Sequence, residues 1–443
     1  MNSQLYCGAS RQCITPPEEL LPRLYGLQNQ SFGGVLDDIY VRVIAVKSGG
    51  KTLLLVSYDL DKAPYPRQWI DALSKRYDIP EEHISYSAIH THTAPITGER
   101  PYEGPNRKCI KTPEQQDATG RYEAFLLEKL MNAAGDAIAS MRPARFGYAC
   151  TDSYVNISRN VDYAAKDGGI DCQTGNNGSG DVDRTLFAAK FETEDGAPIA
   201  FFLNYAVHNC ILHRNTICNG KLALSSDLGG NISQKLEEQN PGAVALWTSG
   251  AAGDVNPVLM NEIYYPSTED GCFVTELLTG DQTLFLRVMV ARHYADVMAA
   301  VKQIRCTETA VQLAGLVKRV KTPGRRFPDE SIAIPEEENE NPEYKIRLLG
   351  LRIGGLAVCG VSGELYTSFA RTIQAVSPFE RTLIINHNAC QMANSQYILD
   401  DDGIARNALG YNHSFIRPGF VAQALESAAG ELFAQLKEEA AAP

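Results

Sequence analysis

The sequence has no stretch of about 18 consecutive apolar residues, the length that a helix needs to cross a membrane. Its first residues also lack the basic start and the apolar segment that are typical of a secretory signal. We therefore expect a protein without a transmembrane segment that is located in the cytoplasm.

Basic side chains are too few for a nucleic-acid partner. The 443 residues include 41 Lys and Arg against 53 Asp and Glu, which gives a formal net charge of -12. A nucleic-acid-binding surface needs clustered cations to neutralise phosphates, and no basic stripe occurs. We therefore expect no nucleic-acid partner.

Disulfide patterns are also missing. The chain has 11 cysteines, an odd number, and none of them forms a CxxC pair. This usage is typical of reduced, mostly buried thiols rather than of a disulfide framework. Histidine is scarce, with eight in the whole chain, so closely spaced histidines are informative.

The first third of the sequence shows a βαβ pattern. "DIYVRVIAVKSGGKTLLLVSYDL" predicts two strands joined by a Gly-Gly turn, "YPRQWIDALSKRYDIP" a helix, and "HISYSAIH" a further strand. Similar alternation continues to the last helix, predicted from Gly419 to Glu439, and no internal repeat is visible. We therefore expect an α/β fold with a mixed, largely parallel central sheet flanked by helices and a site at the carboxyl ends of its strands.

We expect the whole chain, residues 1–443, to form a single catalytic domain. Three polar or Pro- and Glu-rich segments are predicted to be long loops, at about 156–183, 261–282 and 321–343. Long loops in compact domains are usually functional or disordered. The first two are expected to border the pocket.

The segment "SAIHTHT" places His90 and His92 two residues apart. In a strand, side chains at this spacing point to the same face, which suits metal or proton chemistry. The alternative is a pair of strand-end histidines that are satisfied by the backbone and water. The motif alone does not decide between them.

Two further polar residues follow predicted strands. His208 ends the strand "FFLNYAVH", and Glu364 follows a strand in "GVSGELYTSF". The simpler explanation of His208 is a core histidine, and that of Glu364 is a charge at a helix N-terminus. "SGAAGDVNP" is a Gly-rich turn that could hold an oxyanion on its amides or simply form a turn.

In combination these motifs resemble the neutral, non-lysosomal ceramidases. "SAIHTHTAP", "LNYAVHN" with "SSDLGGN", "GAAGDVNP", "SGE" and "NSQYIL" occur in the order and rough spacing of that family, from about Tyr6 to about His413. The resemblance implies a zinc-dependent enzyme that hydrolyses the amide bond of N-acylsphingosines. The C-terminal immunoglobulin-like domain of those enzymes has no counterpart in this sequence.

The resemblance also implies roles for individual residues. The implied zinc ligands are His90, His208, Glu364 and Tyr397. The implied catalytic residues are His92, Tyr397, Asn256 and Arg159, the last in "NISRN". The residues expected to contact substrate are Arg159, Gly253 and Asp254. Two imidazoles with a carboxylate are typical of catalytic zinc, and His92 is the candidate that protonates the leaving amine.

One departure from the family changes the expected chemistry. Asn256 stands in "GDVNP" where the ceramidases have a serine, and asparagine can donate a hydrogen bond but cannot act as a nucleophile. Attack by metal-activated water is compatible with this change, whereas a serine acyl-enzyme is not. The polar segment after Asn156 further favours a smaller or more polar N-acyl amine, or a related amide, as substrate.

Three hypotheses therefore remain open at the level of the sequence. The first is a zinc-dependent amide hydrolase that resembles neutral ceramidase. The second is a non-catalytic homologue that binds a metal or a ligand, which the asparagine at position 256 favours. The third assigns the histidines and Glu364 purely structural roles.

Overall fold

The computed structural model describes residues 4–98, 112–164, 170–266, 273–324, 343–390, 397–408, 410 and 414–439. Within these residues the chain forms three consecutive α/β units. No helix in the described part of the chain is long and apolar enough to span a membrane.

The helices and strands fall into the three units in chain order. The first unit contains β1 (Tyr6–Cys13), β2 (Phe32–Val35), β3 (Tyr40–Ser48), β4 (Lys51–Tyr58), α1 (Pro66–Tyr77), β5 (Ile84–Ala88), α2 (Pro113–Ala139) and the short β6 (Arg142–Pro143). The second contains β7 (Arg145–Asp152), β8 (Asn156–Ala164), β9 (Ile170–Asn177), β10 (Thr185–Glu192), β11 (Pro198–Tyr205), β12 (Leu222–Leu224), α3 (Asp227–Gln239), β13 (Val244–Ser249), β14 (Val255–Pro257), β15 (Glu262–Pro266), β16 (Phe273–Leu277) and α4 (Leu284–Gln303). The third contains β17 (Leu313–Pro323), β18 (Glu343–Ile353), β19 (Leu356–Val361), β20 (Glu364–Leu365), α5 (Thr367–Ala375), β21 (Arg381–Ile385), β22 (Tyr397–Ile398), α6 (Asp401–Ala405) and α7 (Val421–Glu439).

The main sheets of the three units share one design. Their strand orders are β5-β4-β3-β1-β6, β13-β11-β10-β7 and β21-β19-β18-β17. In each sheet the first three strands along the chain pair antiparallel, a helix follows, and the fourth strand pairs parallel with the third. A second helix, α2, α4 or α7, then packs on the first two strands. The structure therefore contains a threefold repeat that the sequence does not reveal.

This arrangement corrects the predicted sheet. We expected one largely parallel central sheet, but each of the three main sheets is mostly antiparallel and has a single parallel pair at its edge. The physical reason is that each unit contains only one βαβ crossover, whereas its second and third main strands are joined by a short turn that imposes antiparallel pairing. Local βαβ patterns from separate sheets had suggested one continuous parallel sheet.

The three sheets enclose a common apolar core with their inner faces. Ile44, Phe187 and Leu349 are buried there, one from each unit. The outer face of every sheet is covered by its own two helices over a second apolar core. Removal of these side chains from water is the main force that holds the units together.

The strands explain the position of the polar residues. Asp61, His208 and Glu364 each lie three residues after the third main strand of their unit, and His90 and His387 each lie two residues after the fourth. Because the third and fourth strands run parallel, their carboxyl ends meet at one edge. These polar residues therefore lie at strand carboxyl ends, where the sequence analysis placed the expected site.

The predicted loops are only partly irregular. β8 and β9 form an antiparallel hairpin within 156–183, and β15 and β16 form another within 261–282. The first hairpin alternates apolar and polar residues in "NISRNVDYA", a strand signal that its polar composition had obscured. In 321–343, β17 continues to Pro323 and β18 begins at Glu343, while 325–342 lie outside the described residues. The helices predicted in "YPRQWIDALSKRYDIP", "DLGGNISQKLEEQ" and the last segment are confirmed as α1, α3 and α7.

Candidate metal centre

Backbone hydrogen bonds fasten the strand-end loops of the three units to one another. The His92 amide donates to the Asn209 carbonyl at 3.1 Å, which joins the loops after β5 and β11. The Asn386 amide donates to the Ser249 carbonyl at 2.9 Å, which joins the loop after β21 to the end of β13. These bonds bring polar side chains from distant parts of the sequence into one buried cluster.

His90 lies just beyond its strand in an unusual backbone conformation. Its φ is 66°, in the left-handed region, where a non-glycine residue is held at a cost of about 1–3 kcal/mol. The predicted strand geometry for "HTH" is therefore wrong, although the rings of His90 and His92 do lie close, with centroids 4.8 Å apart. Nδ1 of His90 lies 2.9 Å from both the carbonyl and Oδ1 of Asp61, so Nε2 faces the cluster. A carboxylate behind an imidazole is the usual support of a metal-binding histidine.

His208 is oriented in the same way by the backbone. Its Nδ1 lies 3.1 Å from the carbonyl of Val255, which fixes Nε2 toward Glu364. Burial, together with the nearby Arg159 guanidinium, lowers the pKa of His208 to about 4. The imidazole is therefore neutral at pH 7, the state in which it can bind a metal ion.

Glu364 lies between the two imidazoles. Its Oε2 is 3.7 Å from Nε2 of His90 and 3.5 Å from Nε2 of His208, and it has no hydrogen-bond partner although it is buried. Its Oε1 is 3.7 Å from the Lys62 ammonium. Burial alone would raise the pKa of Glu364, but His90 and His208 outweigh it and hold the pKa well below its usual value. A buried carboxylate oxygen without a partner is an unexplained cost unless a cation binds there.

His92 extends the cluster away from Glu364. Its Nε2 lies 3.3 Å from Nε2 of His90, and its Nδ1 lies 3.1 Å from Nδ1 of His213. His213 in turn has Nε2 3.8 Å from Glu262. Burial and the neighbouring imidazoles lower the pKa of His92 well below its usual value, so this ring is neutral at pH 7. The sequence analysis did not single out His213 or Glu262.

His387 is a further member that the sequence analysis missed. Its ring stacks on that of His90, with centroids 3.9 Å apart and planes 19° apart, and its buried Nδ1 has no hydrogen-bond partner. The signal was present in the sequence, because "LIINH" is an apolar strand that ends in histidine, as the strands before His90 and His208 do. His387 also shares the left-handed conformation of His90, with φ 55°.

Replacing His387 by phenylalanine tests whether its nitrogen contributes to metal binding. Phenylalanine keeps the stacking on His90 but has no donor atom, so we expect the zinc affinity to fall about 10-fold or more, the size of effect that loss of a supporting group produces. Competition with a chromophoric chelator measures this affinity. His387→Asn is the matched control that removes the ring and keeps a polar group. An unchanged affinity in both variants would show that His387 only packs.

Tyr397 and Arg159 lie beside Glu364. β20 and β22 pair Glu364 with Tyr397, and the Tyr397 phenol hydrogen-bonds to both Glu364 and Arg159. The Arg159 guanidinium lies 5.3 Å from the centre of the Tyr397 ring. Burial, together with the Glu364 charge, raises the pKa of Tyr397, so the phenol stays protonated at neutral pH and can donate. The structure thus brings these two predicted residues into the cluster.

Gly253 and Asp254 both form hydrogen bonds to the segment that contains Leu365 and Thr367. The Gly253 amide donates to the Leu365 carbonyl at 2.9 Å, and a Cβ at this position would lie 2.6 Å from the backbone oxygen of Glu364. These contacts favour the alternative in which the Gly-rich turn simply shapes the backbone, and contact of Gly253 with substrate stays a prediction. Asp254 accepts two hydrogen bonds of 2.9 Å, from the amide and the hydroxyl of Thr367, and so anchors the start of α5. Burial raises its pKa to about 6.

The donor set fits a transition-metal ion. Two groups have all their donor atoms within 4.8 Å of one another: His90, His92 and His208, and His90, Glu364 and His387. Imidazoles with one carboxylate suit zinc better than magnesium or calcium, which prefer oxygen ligands. The unpartnered Oε2 of Glu364 and Nδ1 of His387 are the atoms that such an ion would satisfy.

Solved structures with the same fold are known. The chain is similar to neutral ceramidase from Pseudomonas aeruginosa, with a TM-score of 0.68 and 15% identity over 99% of this chain and 75% of that one. It is also similar to a ceramidase complexed with C2, with a TM-score of 0.67 and 14% identity over 99% of this chain and 76% of that one. No protein-family model and no curated protein matches the sequence. The chain therefore has the neutral ceramidase fold, and the resemblance inferred from its motifs is confirmed at that level.

Proposed function

We propose that this chain is a zinc-dependent hydrolase that cleaves the C–N amide bond of an N-acyl amine smaller or more polar than ceramide. The observation that carries the proposal is the convergence of Nε2 of His90, Nε2 of His208 and the unpartnered Oε2 of Glu364. The shared fold of the two ceramidase structures supports it. The proposed zinc ligands are these three residues, with Tyr397 beside them.

A zinc ion bound by these residues would lower the pKa of a water molecule and polarise the amide carbonyl. The protein supplies fixed orientation, because Asp61 and the Val255 carbonyl each hold an imidazole with its other nitrogen toward the cluster. Arg159 and the protonated Tyr397 provide a buried positive charge and a donor for a developing oxyanion. Rigid placement of such groups before the reaction is what makes them effective.

His92 is the proposed group that transfers the proton. Because its pKa is held well below the usual value, the free enzyme has a neutral His92 that can accept a proton from the attacking water. The same imidazole can then deliver this proton to the leaving amine nitrogen. The proposal adds the role of base to the role of acid that the sequence analysis expected for His92.

The substrate is proposed to be short or polar because the β8–β9 hairpin next to β14 is rich in polar residues. β14, which carries Asn256, pairs with β8 of the polar hairpin, with Asn256 opposite Ile157. A substrate with two long chains would need an extended apolar groove instead. The direct test is a panel of N-acyl amines of increasing acyl length, with release of the amine followed by mass spectrometry. We expect short and polar amides to be cleaved and long-chain ceramide to be cleaved more slowly or not at all.

The second candidate is a non-catalytic homologue that binds a metal or a ligand. Asn256 favours it, because its oxygen lies 3.3 Å from Nη1 of Arg159 and its Nδ2 lies 3.6 Å from the Met260 sulfur, so both ends already have neighbours. A zinc-loaded protein that turns over no member of the amide panel, and whose ligand binding is unaffected by His92→Ala, would establish this alternative.

Substitution of Asn256 separates a positioning role from a nucleophilic one. If water is the nucleophile, we expect Asn256→Ala to lower kcat by about 10-fold to 100-fold through loss of the contact with Arg159, and Asn256→Ser to behave similarly. Steady-state kinetics on the best amide measures both variants. A serine variant that is much faster than wild type and accumulates an acyl-enzyme would instead show that a serine route is accessible in this site.

A further inference from the structure

A large cavity lies at the boundary between the first and third units, apart from the metal centre. It has a volume of about 950 Å³, a size typical of sites for small molecules. Helix α1 forms one side, and strands β17 and β18 form the other. None of the histidines of the metal centre lines it.

The cavity is lined by unequal numbers of cations and carboxylates. The cations are Arg67, Arg319, Lys345 and Arg347, and the carboxylates are Asp71 and Glu81. Asp71 is already paired with Lys75 at 2.8 Å, a residue of the same helix. The lining therefore has an excess of positive charge.

Two of the arginines face each other without a counter-ion. Arg319 and Arg347 are directly opposite in the β17–β18 ladder, where two like charges destabilise a sheet. Among the residues that the structure describes, neither guanidinium forms an ion pair, and the only side-chain hydrogen bond of Arg347 runs from Nη1 to Asn388 Oδ1 at 3.3 Å. Burial, with Arg319 as the second cause, lowers the pKa of Arg347 to about 10. Arg347 is half-buried and Arg319 is exposed, and the Glu81 carboxylate only partly offsets the charge of Arg347.

Another unit boundary shows how this protein neutralises such a pair. Arg11 and Arg42 are also opposite each other on the first two main strands of a sheet, facing a helix of another unit. There, Glu237 from α3 binds both arginines, and Asp59 binds Arg42 at 2.7 Å. Asp59 directly follows β4, whereas the residue that directly follows β19 is Ser362. The third unit thus has the arginine pair without these carboxylates and has a cavity beside it.

We infer that this cavity is an anion-binding site for a small molecule that carries a phosphate or a carboxylate group. Arginine guanidinium groups bind both groups in a planar, bidentate manner, and two of them on adjacent strands can clamp one oxyanion. The exposed Arg67 adds long-range attraction, whereas Lys345 is already paired with Glu343 at 3.8 Å. The remaining volume is available to the rest of the ligand.

The inference is tested by calorimetric titration of the zinc-loaded protein with inorganic phosphate and, separately, with citrate at constant ionic strength. We expect saturable binding of at least one anion. The affinity should fall 10-fold or more in the double variant Arg319→Gln/Arg347→Gln. Arg292→Gln removes the same kind of charge from an exposed position on α4 and should bind as wild type does. Phosphate binding alone would assign the site to phosphate groups, and citrate binding alone to carboxylates.

Phosphate could also bind the proposed zinc ion, so His208→Ala is included. Binding that is kept in His208→Ala and lost in the arginine variant supports the inference, whatever the outcome for the proposed hydrolase. Binding that is lost in His208→Ala and kept in the arginine variant would contradict it, as would the absence of saturable binding by both anions.

The melting temperature of Arg319→Gln provides a second measurement that does not depend on the probe. If the pair is an anion site, removing one charge relieves repulsion, so the variant should melt about 1–3 °C above wild type in anion-free buffer. Added phosphate should then raise its melting temperature less than that of wild type. A variant that melts lower than wild type and gains as much from phosphate would show that Arg319 is structural.

Discussion

Replacing Glu364 by glutamine is expected to lower amide hydrolysis by about 1,000-fold or more, which corresponds to roughly 4 kcal/mol of transition-state stabilisation. Glutamine has nearly the shape of glutamate but lacks its charge. Glu364 is the carboxylate that lies within 4 Å of Nε2 of both His90 and His208. Without that charge, the imidazoles alone must hold the metal ion.

The measurement combines turnover of the best N-acyl amine with zinc content on the same preparation. We expect both to fall together in Glu364→Gln. Glu426→Gln, an exposed position on α7, is the matched control and should keep both. A variant that keeps full zinc and full activity would remove Glu364 from the proposed ligand set.

Replacing Glu237 by alanine is expected to destabilise the fold by about 1.5–3 kcal/mol, the size of effect expected for the loss of charge-assisted hydrogen bonds in a buried cluster where Asp59 still pairs with Arg42. Glu237 accepts from Nε of Arg42 at 2.9 Å and from the Ala245 amide at 3.0 Å, and it also pairs with Arg11. Arg42 is 1% exposed, so it cannot recover its lost interaction from water. This cluster also joins α3 to the sheet of the first unit.

Denaturant unfolding followed by circular dichroism measures this change. Glu238→Ala, at the adjacent exposed position of α3, is the control and should change stability by less than about 0.5 kcal/mol. A double-mutant cycle with Arg42→Met gives the coupling between the two side chains, which we expect to exceed about 2 kcal/mol. A coupling near zero would mean that the cluster is not a stabilising unit.

Local patterns predicted the elements of this fold better than their assembly. Periodicity predicts the strands and helices around α1, α3 and α7. The antiparallel sheets can be predicted only after the chain is divided into three separate βαβ units. The repeat leaves no trace in the sequence, because each unit fills its core with different apolar residues. What the units share is the spacing between strand ends and polar residues, such as Asp61, His208 and Glu364.

The motifs predicted much of the proposed metal centre but few of the residues that support it. His90, His92, His208 and Glu364 were predicted and lie together. Asp61 and His213 were missed because their roles depend on side-chain orientation and on contacts between units, whereas the strand before His387 did carry a signal. The left-handed backbone at His90, which turns its ring toward the cluster, also has no signal in the sequence.

The most direct test of the proposed metal-dependent hydrolase is the zinc content of protein purified without chelator or histidine tag, determined by elemental mass spectrometry. We predict close to one zinc ion per chain in wild type and in His83→Gln, whose histidine lies outside the cluster and contacts the Thr52 carbonyl. His208→Ala should lose the zinc. No stoichiometric zinc in any of the three proteins, or full zinc in His208→Ala, would contradict the proposed metal centre and with it the hydrolytic mechanism.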